Sequence, residues 1–143
     1  MLVATILQGK GNSVYTIAPD RTVAEAIAEL ADRRIGALVV SANGVDVAGI
    51  VSERDIVRDL AESGPALLEQ PVEGLMTRGV LTCSPEDTGR GILGFMTERH
   101  IRHVPVVEND RLSGMVSIGD VVKSRLDEIM DEAEALREYI SHT

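Results

Sequence analysis

The stretch GIVSERDIV at residues 49–57 returns as GMVSIGDVV at residues 114–122. Both copies carry the pattern Gly-x-Val-Ser-x-x-Asp. In each copy an apolar run ends at a serine, and an aspartate follows three residues later. This pattern is typical of a strand that leads into an N-capped helix. A unit that occurs twice at a fixed offset indicates a repeat architecture.

The repetition extends upstream of this pattern. VYTIAPDRT at 14–22 matches VLTCSPEDT at 80–88, and RRIGALVV at 33–40 matches RHIRHVPV at 99–106. Thr22 and Glu25 form a predicted capping box ahead of apolar residues at helical spacing. Each copy therefore predicts elements in the order β-α-β-β-α. The predicted strands are 14–17, 37–40 and one ending at Val51, then 80–83, 104–107 and one ending at Val116, and further helices begin after Ser52 and Ser117.

The domain boundaries follow from the repeats. We expect a first repeat with an N-terminal lead-in at 1–62, a linker at 63–71, a second repeat at 72–126 and an acidic C-terminal helix at 127–143. Gly64, Pro65 and Pro71 mark the linker. A weaker similarity precedes both copies, because VATIL at residues 3–7 resembles VEGLM at residues 72–76.

Composition excludes several classes of protein. The 143 residues are 44% hydrophobic and 26% charged, which is typical of a globular domain. The single cysteine, Cys83, excludes an intrachain disulfide and argues against a cysteine-based metal site. It also indicates a reducing compartment, so we expect a cytoplasmic protein. A net charge of −9 argues against nucleic-acid binding. No apolar run is as long as a membrane span, so no membrane association is expected.

GRGILG at residues 89–94 matches the dinucleotide-binding pattern G-x-G-x-x-G, with Glu108 about 20 residues further on. In that motif the glycines follow a strand directly, and free N–H groups meet the pyrophosphate. Here residues 84–87 intervene and include two carboxylates, which repel phosphate. We interpret the match as coincidental and expect three glycines in a helix that packs closely on a neighbour.

The Gly-x-Val-Ser-x-x-Asp pattern allows two interpretations. Structurally, the serine caps a helix and the aspartate complements its dipole. Functionally, a serine and free N–H groups at a helix start bind a phosphate, and the aspartate accepts both hydrogens of a ribose diol. The presence of two copies favours the functional interpretation.

Together these segments resemble a tandem pair of CBS domains, a Bateman module, from about Val3 to Leu126. The resemblance implies an α/β fold in which two β-α-β-β-α repeats pack as an intramolecular pair, followed by a C-terminal helical extension. It also implies clefts for AMP, ADP, ATP, S-adenosylmethionine or NAD(H), with AMP the expected regulatory ligand. A family of this kind is regulatory and not enzymatic, and it implies no obligatory cofactor, metal or catalytic residue.

Two clefts follow from the resemblance. In the first, Asp120 holds the ribose, Ser117 the phosphate, and Tyr15 lies near the base. In the second, Asp55 holds the ribose, with Ser52 and Arg54 at the phosphate. The other implied nucleotide-binding residues are Ile35, Gly36, Ala37, Arg102 and His103 for the first cleft, and Thr77, Val80 and Ile101, again with Arg102, for the second. Lys10 and Ser13 are implied as nucleotide-binding residues without assignment to one cleft.

The two clefts are expected to differ in strength. Gly36 and Ala37 stand in the first repeat where the second repeat has Arg102 and His103. The Asp55 cleft therefore lacks a potential phosphate clamp, and we expect the Asp120 cleft to be the occupied one. For His103, a phosphate contact or a packed strand position is favoured over a general base, because no nucleophile is near in sequence.

The C-terminal segment carries a coiled-coil spacing. Apolar residues recur three and four positions apart from Val122 to Ile140. One interpretation is a helix folded back on its own domain, and the other is a helix that pairs in a homodimer. The stripe residues are Val122, Leu126, Ile129, Ala133, Leu136 and Ile140.

The whole chain is predicted to be a sensor that relays nucleotide occupancy to a regulated protein. Two alternatives are a constitutive dimerisation module with vestigial clefts and a small NAD enzyme, the latter disfavoured because no acid–base pair stands out.

Overall fold

The computed structural model describes residues 1–142. Its helices and strands follow the predicted order in the first repeat, and in the second repeat from its first helix onward, with an additional helix at the N-terminus. The helices are α1 (Val3–Lys10), α2 (Val23–Arg33), α3 (Glu53–Ser63), α4 (Gly89–Arg99) and α5 (Ile118–Ser141). The strands are β1 (Thr16–Ile17), β2 (Ala37–Val40), β3 (Gly49–Ser52), β4 (His103–Glu108) and β5 (Arg111–Ser117). Short 3₁₀ helices at Pro65–Glu69 and Val72–Gly74 join the repeats.

The first repeat forms a three-stranded sheet in the order β1-β2-β3. β1 is parallel to β2, and β2 is antiparallel to β3. The predicted capping box of Thr22 and Glu25 starts α2 and is confirmed. Val23, Ala26 and Leu30 face the core from α2 at helical spacing, and they pack on the buried face of the sheet.

The prediction of a strand at 80–83 is wrong. The second sheet contains only β4 and β5, and Cys83 makes a single parallel bridge to Val106. In the first repeat, the Val39 N–H donates to the Tyr15 carbonyl and extends the ladder. Pro105 stands at the position equivalent to Val39 and has no N–H to donate. The parallel pairing of residues 80–83 with β4 is therefore limited to two hydrogen bonds, from Cys83 N to the Pro105 carbonyl and from Val107 N to the Cys83 carbonyl.

The segments that precede the two repeats are exchanged between them. Val3, Ile6 and Leu7 of α1 complete the core of the second repeat, whereas Val72 and Met76 complete the core of the first. Equivalent backbone bonds fix both segments, because Val3 N donates to Asp87 O and Val72 N donates to Arg21 O, each at 2.8 Å. The two repeats are thus interlocked.

A third apolar cluster joins the two sheets. Ala37 and Val39 on β2 pack against Met115 on β5, and partly buried neighbours such as Ile50 and Leu112 surround them. This cluster brings the starts of α3 and α5 close together, which positions the site described below.

The GRGILG stretch lies within α4, as predicted. Gly89 does pack closely, because an added Cβ would lie 3.4 Å from the Met1 carbonyl. Gly94, in contrast, has nothing within 4 Å of an added Cβ. At Gly91 an added Cβ would meet only Thr88 Oγ1, at the cap of the same helix. The expectation that all three glycines allow close packing on a neighbour is therefore wrong for Gly91 and Gly94.

α5 runs without a break from its cap at Ser117 to Ser141. Thr143, the last residue of the predicted C-terminal segment, lies outside the described residues. Residues 129–142 are all exposed, so the C-terminal half of α5 does not fold back on its own domain. No helix within residues 1–142 combines the length and the apolar character needed to cross a membrane.

Candidate functional site

A cavity of about 480 Å³ opens between the two repeats. Ser52 and Ser117, the N-cap residues of α3 and α5, both line it. The N-termini of two helices therefore meet at one cavity, and the dipoles of such termini favour anions. The first N–H group of each helix already donates within the protein, from Glu53 to the Gly36 carbonyl and from Ile118 to the Arg102 carbonyl. We call this space the central cavity. Its lining residues are Gly36, Ile50, Ser52, Glu53, Arg54, Asp55, Arg58, Thr77, His100, Ile101, Arg102, His103, Ser117 and Ile118.

Both serine–aspartate pairs form capping boxes. The Ser52 hydroxyl accepts from the Asp55 N–H at 3.3 Å and donates to the Asp55 carboxylate at 2.9 Å. The Ser117 hydroxyl accepts from the Asp120 N–H at 3.1 Å, and the Ser117 N–H donates to Asp120 Oδ2 at 2.8 Å. The structural interpretation of the motif is confirmed, and it leaves the remaining carboxylate oxygens for other contacts.

The charges around the central cavity differ from those of the chain as a whole. Three arginines line it, together with the imidazoles of His100 and His103, against the carboxylates of Glu53 and Asp55. Arg58 donates to Asp55 Oδ1 at 2.9 Å. In a chain of net charge −9, the central cavity is a locally basic surface. Guanidinium groups suit phosphate because they can donate two parallel hydrogen bonds.

Gly36 makes room for a side chain of the other repeat. An added Cβ at Gly36 would lie 3.2 Å from His103 Nε2 and 3.4 Å from Glu53 Oε1. His103 therefore occupies the space that an arginine side chain at position 36 would need. Burial lowers the pKa of His103, an effect that Glu53 and Asp120 oppose and that Lys10 and Arg102 reinforce. His103 is thus a neutral imidazole at neutral pH, in the field of charged groups from both repeats.

Asp120 lies in different surroundings from Asp55. Lys10, in the last turn of α1, donates to Asp120 Oδ2 at 2.6 Å and to the Met115 carbonyl at 2.9 Å. Burial raises the pKa of Asp120, but hydrogen bonds from Lys10 and from the Ser117 N–H hold it below its usual value. Lys10 and Asp120 line a smaller cavity of about 290 Å³ with residues of α1 and α5. Asp120 does not line the central cavity.

The predicted nucleotide-binding residues separate into three groups. Lys10 and Asp120 lie at the smaller cavity. Tyr15 lines neither cavity, and the Arg33 guanidinium covers its ring at 4.1 Å from the centroid. Ala37 is buried in the cluster between the sheets, and Ser13, Ile35 and Val80 also line neither cavity. The residues brought together at the central cavity are Gly36, Ser52, Arg54, Asp55, Thr77, Ile101, Arg102, His103 and Ser117.

Several lining residues escaped the sequence analysis. Arg58 lies one turn beyond Asp55 in α3, so the basic residue three positions after the motif aspartate was its available signal. His100 ends α4 in a left-handed conformation with φ 55°. No sequence pattern predicts this conformation for a histidine. Ile50, Glu53 and Ile118 complete the set.

Cys83 and the histidines offer no second kind of chemistry. Cys83 is buried, as expected, and burial followed by the nearby Asp87 carboxylate raises its pKa to about 12. A thiol with such a pKa is a poor nucleophile at neutral pH. Within residues 1–142, no group of three or more His, Cys, Asp and Glu side chains is arranged to hold a metal ion.

The family model of the CBS domain matches the chain twice, at residues 11–62 and 72–127. The fold is also that of a crystal structure of a CBS-domain-containing protein from Agrobacterium tumefaciens, ATU1752. The two chains are 45% identical and superpose with a TM-score of 0.84, over 87% of this chain and 99% of that one.

Two further similar structures contain adenosine compounds. A CBS domain protein from Pyrobaculum aerophilum, complexed with AMP, is 28% identical with a TM-score of 0.75, over 84% of this chain and 89% of that one. The CBS domain pair of protein MJ0100, in complex with 5'-methylthioadenosine and S-adenosyl-L-methionine, is 25% identical with a TM-score of 0.79. It covers 90% of this chain and 98% of the other.

Proposed function

This chain belongs to the CBS-domain family, and on that basis we propose that it is a regulatory module that binds an adenosine nucleotide in the central cavity. The observation that carries the proposal is the convergence of two helix N-termini and three arginines on one cavity of about 480 Å³. A cavity of this size suits a nucleotide. The AMP and S-adenosyl-L-methionine complexes of similar proteins support adenosine as the common moiety.

The proposal assigns roles to particular side chains. Asp55 accepts from the ribose hydroxyls, and to do so it exchanges the hydrogen bond from Arg58, whose side chain is 62% exposed and free to move aside. Arg54, Arg58 and Arg102 then supply guanidinium groups to the phosphate. Ile50 and Ile101 offer apolar contacts to the base. AMP is the expected ligand, since the arginines require at least one phosphate.

The proposal reverses the expected order of the two clefts. Asp120 was expected to hold the nucleotide, but its Oδ2 already accepts from Lys10 and from the Ser117 N–H. Asp120 does not line the central cavity, and its pairing with Lys10 at 2.6 Å lies at the smaller cavity, whereas Asp55 lines the same cavity as the three arginines. We therefore propose Asp55 as the primary ribose ligand.

We propose further that the module is not an enzyme and acts as a homodimer in the cytoplasm on a regulated protein. The two CBS domains together span most of the chain, which supports a regulatory role rather than a catalytic one. A ligand that contacts both repeats favours their closed arrangement, and such a population shift can be relayed to a partner.

Isothermal titration calorimetry with adenosine, AMP, ADP, ATP, S-adenosyl-L-methionine, NAD and NADH tests the proposal. We expect AMP to bind more tightly than adenosine, because of the arginines. Asp55→Ala should weaken AMP at least roughly tenfold, since a hydrogen bond to a charged group contributes about 1.5–3 kcal/mol. Asp120→Ala, the matched variant, should change affinity less. A larger effect of Asp120→Ala would restore the original order, and the absence of binding by the whole panel would favour a constitutive dimerisation module.

A further inference from the structure

The C-terminal half of α5 extends away from the rest of the molecule. The helix is held to the domain as far as Glu128, whose carboxylate lies 3.1 Å from the N-terminal amine of Met1. Every described residue after Glu128 is exposed. Residues 129–141 therefore form a helical arm of about 20 Å, at about 1.5 Å per residue.

Apolar side chains run along this arm on one side. Leu126, Ile129 and Leu136 are 54%, 46% and 59% exposed, and Ala133 completes their alternating spacing of three and four residues, which Ile140 continues. We call Leu126, Ile129, Ala133 and Leu136 the C-terminal stripe. A helix of this length is marginally stable in water without packing, and a spacing averaging 3.5 residues is that of a coiled-coil seam.

The C-terminal stripe does not compete with the surface that holds α5 to the domain. Val121, Ser124, Arg125 and Glu128 form the less exposed side of the helix. At about 100° per residue, the centre of the stripe lies roughly 100° around the helix axis from the centre of that side. The helix can thus contact its own domain and a second helix at the same time.

We propose that the C-terminal stripe pairs with the same stripe of a second copy as a parallel, in-register, two-stranded coiled coil. The stripe assigns Leu126 and Ala133 to heptad position a and Ile129 and Leu136 to position d. The charged residues beside the seam are then Glu132 at position g and Arg137 at position e, and Met130 occupies the preceding position e. This inference rests on the proposed homodimer and specifies its surface and orientation.

Charge complementarity selects the parallel orientation. In a parallel pair, position g of one helix faces the position e that lies five residues later in the other helix, and ion pairs there set partner and orientation. Glu132 consequently faces Arg137 of the second copy, twice by symmetry. Neither residue forms an ion pair with another described residue in the single chain. In an antiparallel pair, positions g face each other and positions e face each other, so this complementarity is lost.

The test is sedimentation equilibrium of the full chain, with charge reversal and restoration. Glu132→Arg and Arg137→Glu should each weaken the dimer roughly tenfold, because each variant turns two attractive pairs into repulsive ones worth a few tenths of a kcal/mol apiece. The double variant Glu132→Arg/Arg137→Glu should recover an affinity near that of the wild type. The differences should shrink in high salt. Asp131→Arg, a reversal of an adjacent acid on the outer side, is the matched control and should leave the affinity unchanged.

The outcomes separate this inference from the proposed homodimer. Weakening by both single variants with recovery in the double variant supports the parallel coiled coil. A wild type that remains monomeric overturns both the homodimer and this inference. A dimer whose affinity is insensitive to the charge reversals overturns the inference but leaves the proposed homodimer standing. A double variant that fails to recover the affinity has the same consequence. Circular dichroism of each variant verifies that the fold is retained, which the exposure of both positions favours.

Discussion

Asp55 and Asp120 occupy the same position in two copies of one motif, and both complete a capping box. Asp55 lines the central cavity beside an exposed arginine, whereas Asp120 is held by Lys10 at the side of the molecule. The motif itself cannot produce this difference. It arises from the lead-in segments, because α1 brings a lysine to Asp120 and the equivalent stretch before the second repeat brings Thr77 to the cavity. The local pattern fixes the helix start, and its tertiary neighbours decide what the aspartate can bind.

Alanine substitutions at Gly49 and Gly114, the first residues of the two motif copies, should show the largest difference in stability between the two repeats. An added Cβ at Gly49 would lie 2.8 Å from the Thr77 carbonyl and 2.5 Å from Met76 Sδ, so backbone has to move. At Gly114 it would meet only the Leu7 side chain, at 3.1 Å. We expect Gly49→Ala to lower the free energy of unfolding by about 2–3 kcal/mol and Gly114→Ala by about 1 kcal/mol. Urea unfolding measures both.

Gly94→Ala is the matched control for these substitutions. It introduces the same methyl group into open space inside α4, so it should stabilise the protein by about 0.5–1 kcal/mol through helix propensity. Equal losses at Gly49 and Gly114 would mean that the two lead-in segments pack equivalently, against the contrast drawn above.

The ion pairs of the two aspartates should differ by a smaller amount. Lys10 and Asp120 are 34% and 24% exposed at their side chains, whereas Arg58, which pairs with Asp55, is 62% exposed. Double-mutant cycles with Lys10→Met and Asp120→Asn should give a coupling of about 1 kcal/mol, and cycles with Arg58→Met and Asp55→Asn about 0.3 kcal/mol. Couplings of equal size would contradict the idea that Lys10 restricts Asp120.

The features predicted correctly from the sequence are those set by local contacts. The serine caps and the helices that follow them depend on hydrogen bonds between residues three positions apart, so the motif alone specifies them. The α2 capping box was predictable for the same reason. The repetition and the resemblance predicted the tandem arrangement. Each repeat has an apolar side that it cannot bury alone, so the two repeats are expected to pack against each other.

The features that were missed depend on distant residues. Lys10 and Asp120 are separated by 110 positions, and no local pattern pairs them. From the sequence, Gly36 was interpreted as the loss of a phosphate ligand. In the structure it leaves room for His103 of the other repeat. The missing strand before Cys83 depends on a proline more than twenty residues later, at Pro105. The serines and Asp55 of the central cavity could thus be predicted, whereas the proposed preference for this cavity over the Asp120 site depends on these distant contacts.

Titration of Asp120 should have a smaller effect than its substitution, because protonation removes the charge but leaves the aspartate in place. Its pKa lies below the usual value when the protein is folded. The stabilisation is therefore fully present above about pH 4, the pKa of an unfolded aspartate, and it is lost as the pH falls through the lower folded pKa. Melting temperatures of wild type and Asp120→Asn should converge below pH 4. A constant difference down to pH 2.5 would show that the carboxylate charge contributes nothing.

His103 offers the smallest test, and one that reports on both sites at once. Burial lowers its pKa, while Glu53, Lys10, Asp120 and Arg102 surround it with charges of both signs. The unfolded chain takes up a proton on this histidine below about pH 6.5, and the folded chain does so only at lower pH, so stability falls as the pH decreases from 6.5 toward the folded pKa. His103→Gln should lose this part of the pH dependence of the melting temperature between pH 7 and 5.5, whereas the exposed His142→Gln should keep it.

Bound AMP sharpens the same measurement. A phosphate in the central cavity favours a protonated His103, which lines that cavity, so AMP binding should take up a proton and become tighter as the pH falls from 7 to 6. Calorimetry in buffers of different ionisation enthalpy measures the uptake directly. Because the AMP phosphate itself titrates at about pH 6, the informative quantity is the difference in proton exchange between wild type and His103→Gln. An uptake that the substitution removes supports a phosphate in the central cavity, and identical proton exchange in the two proteins contradicts it.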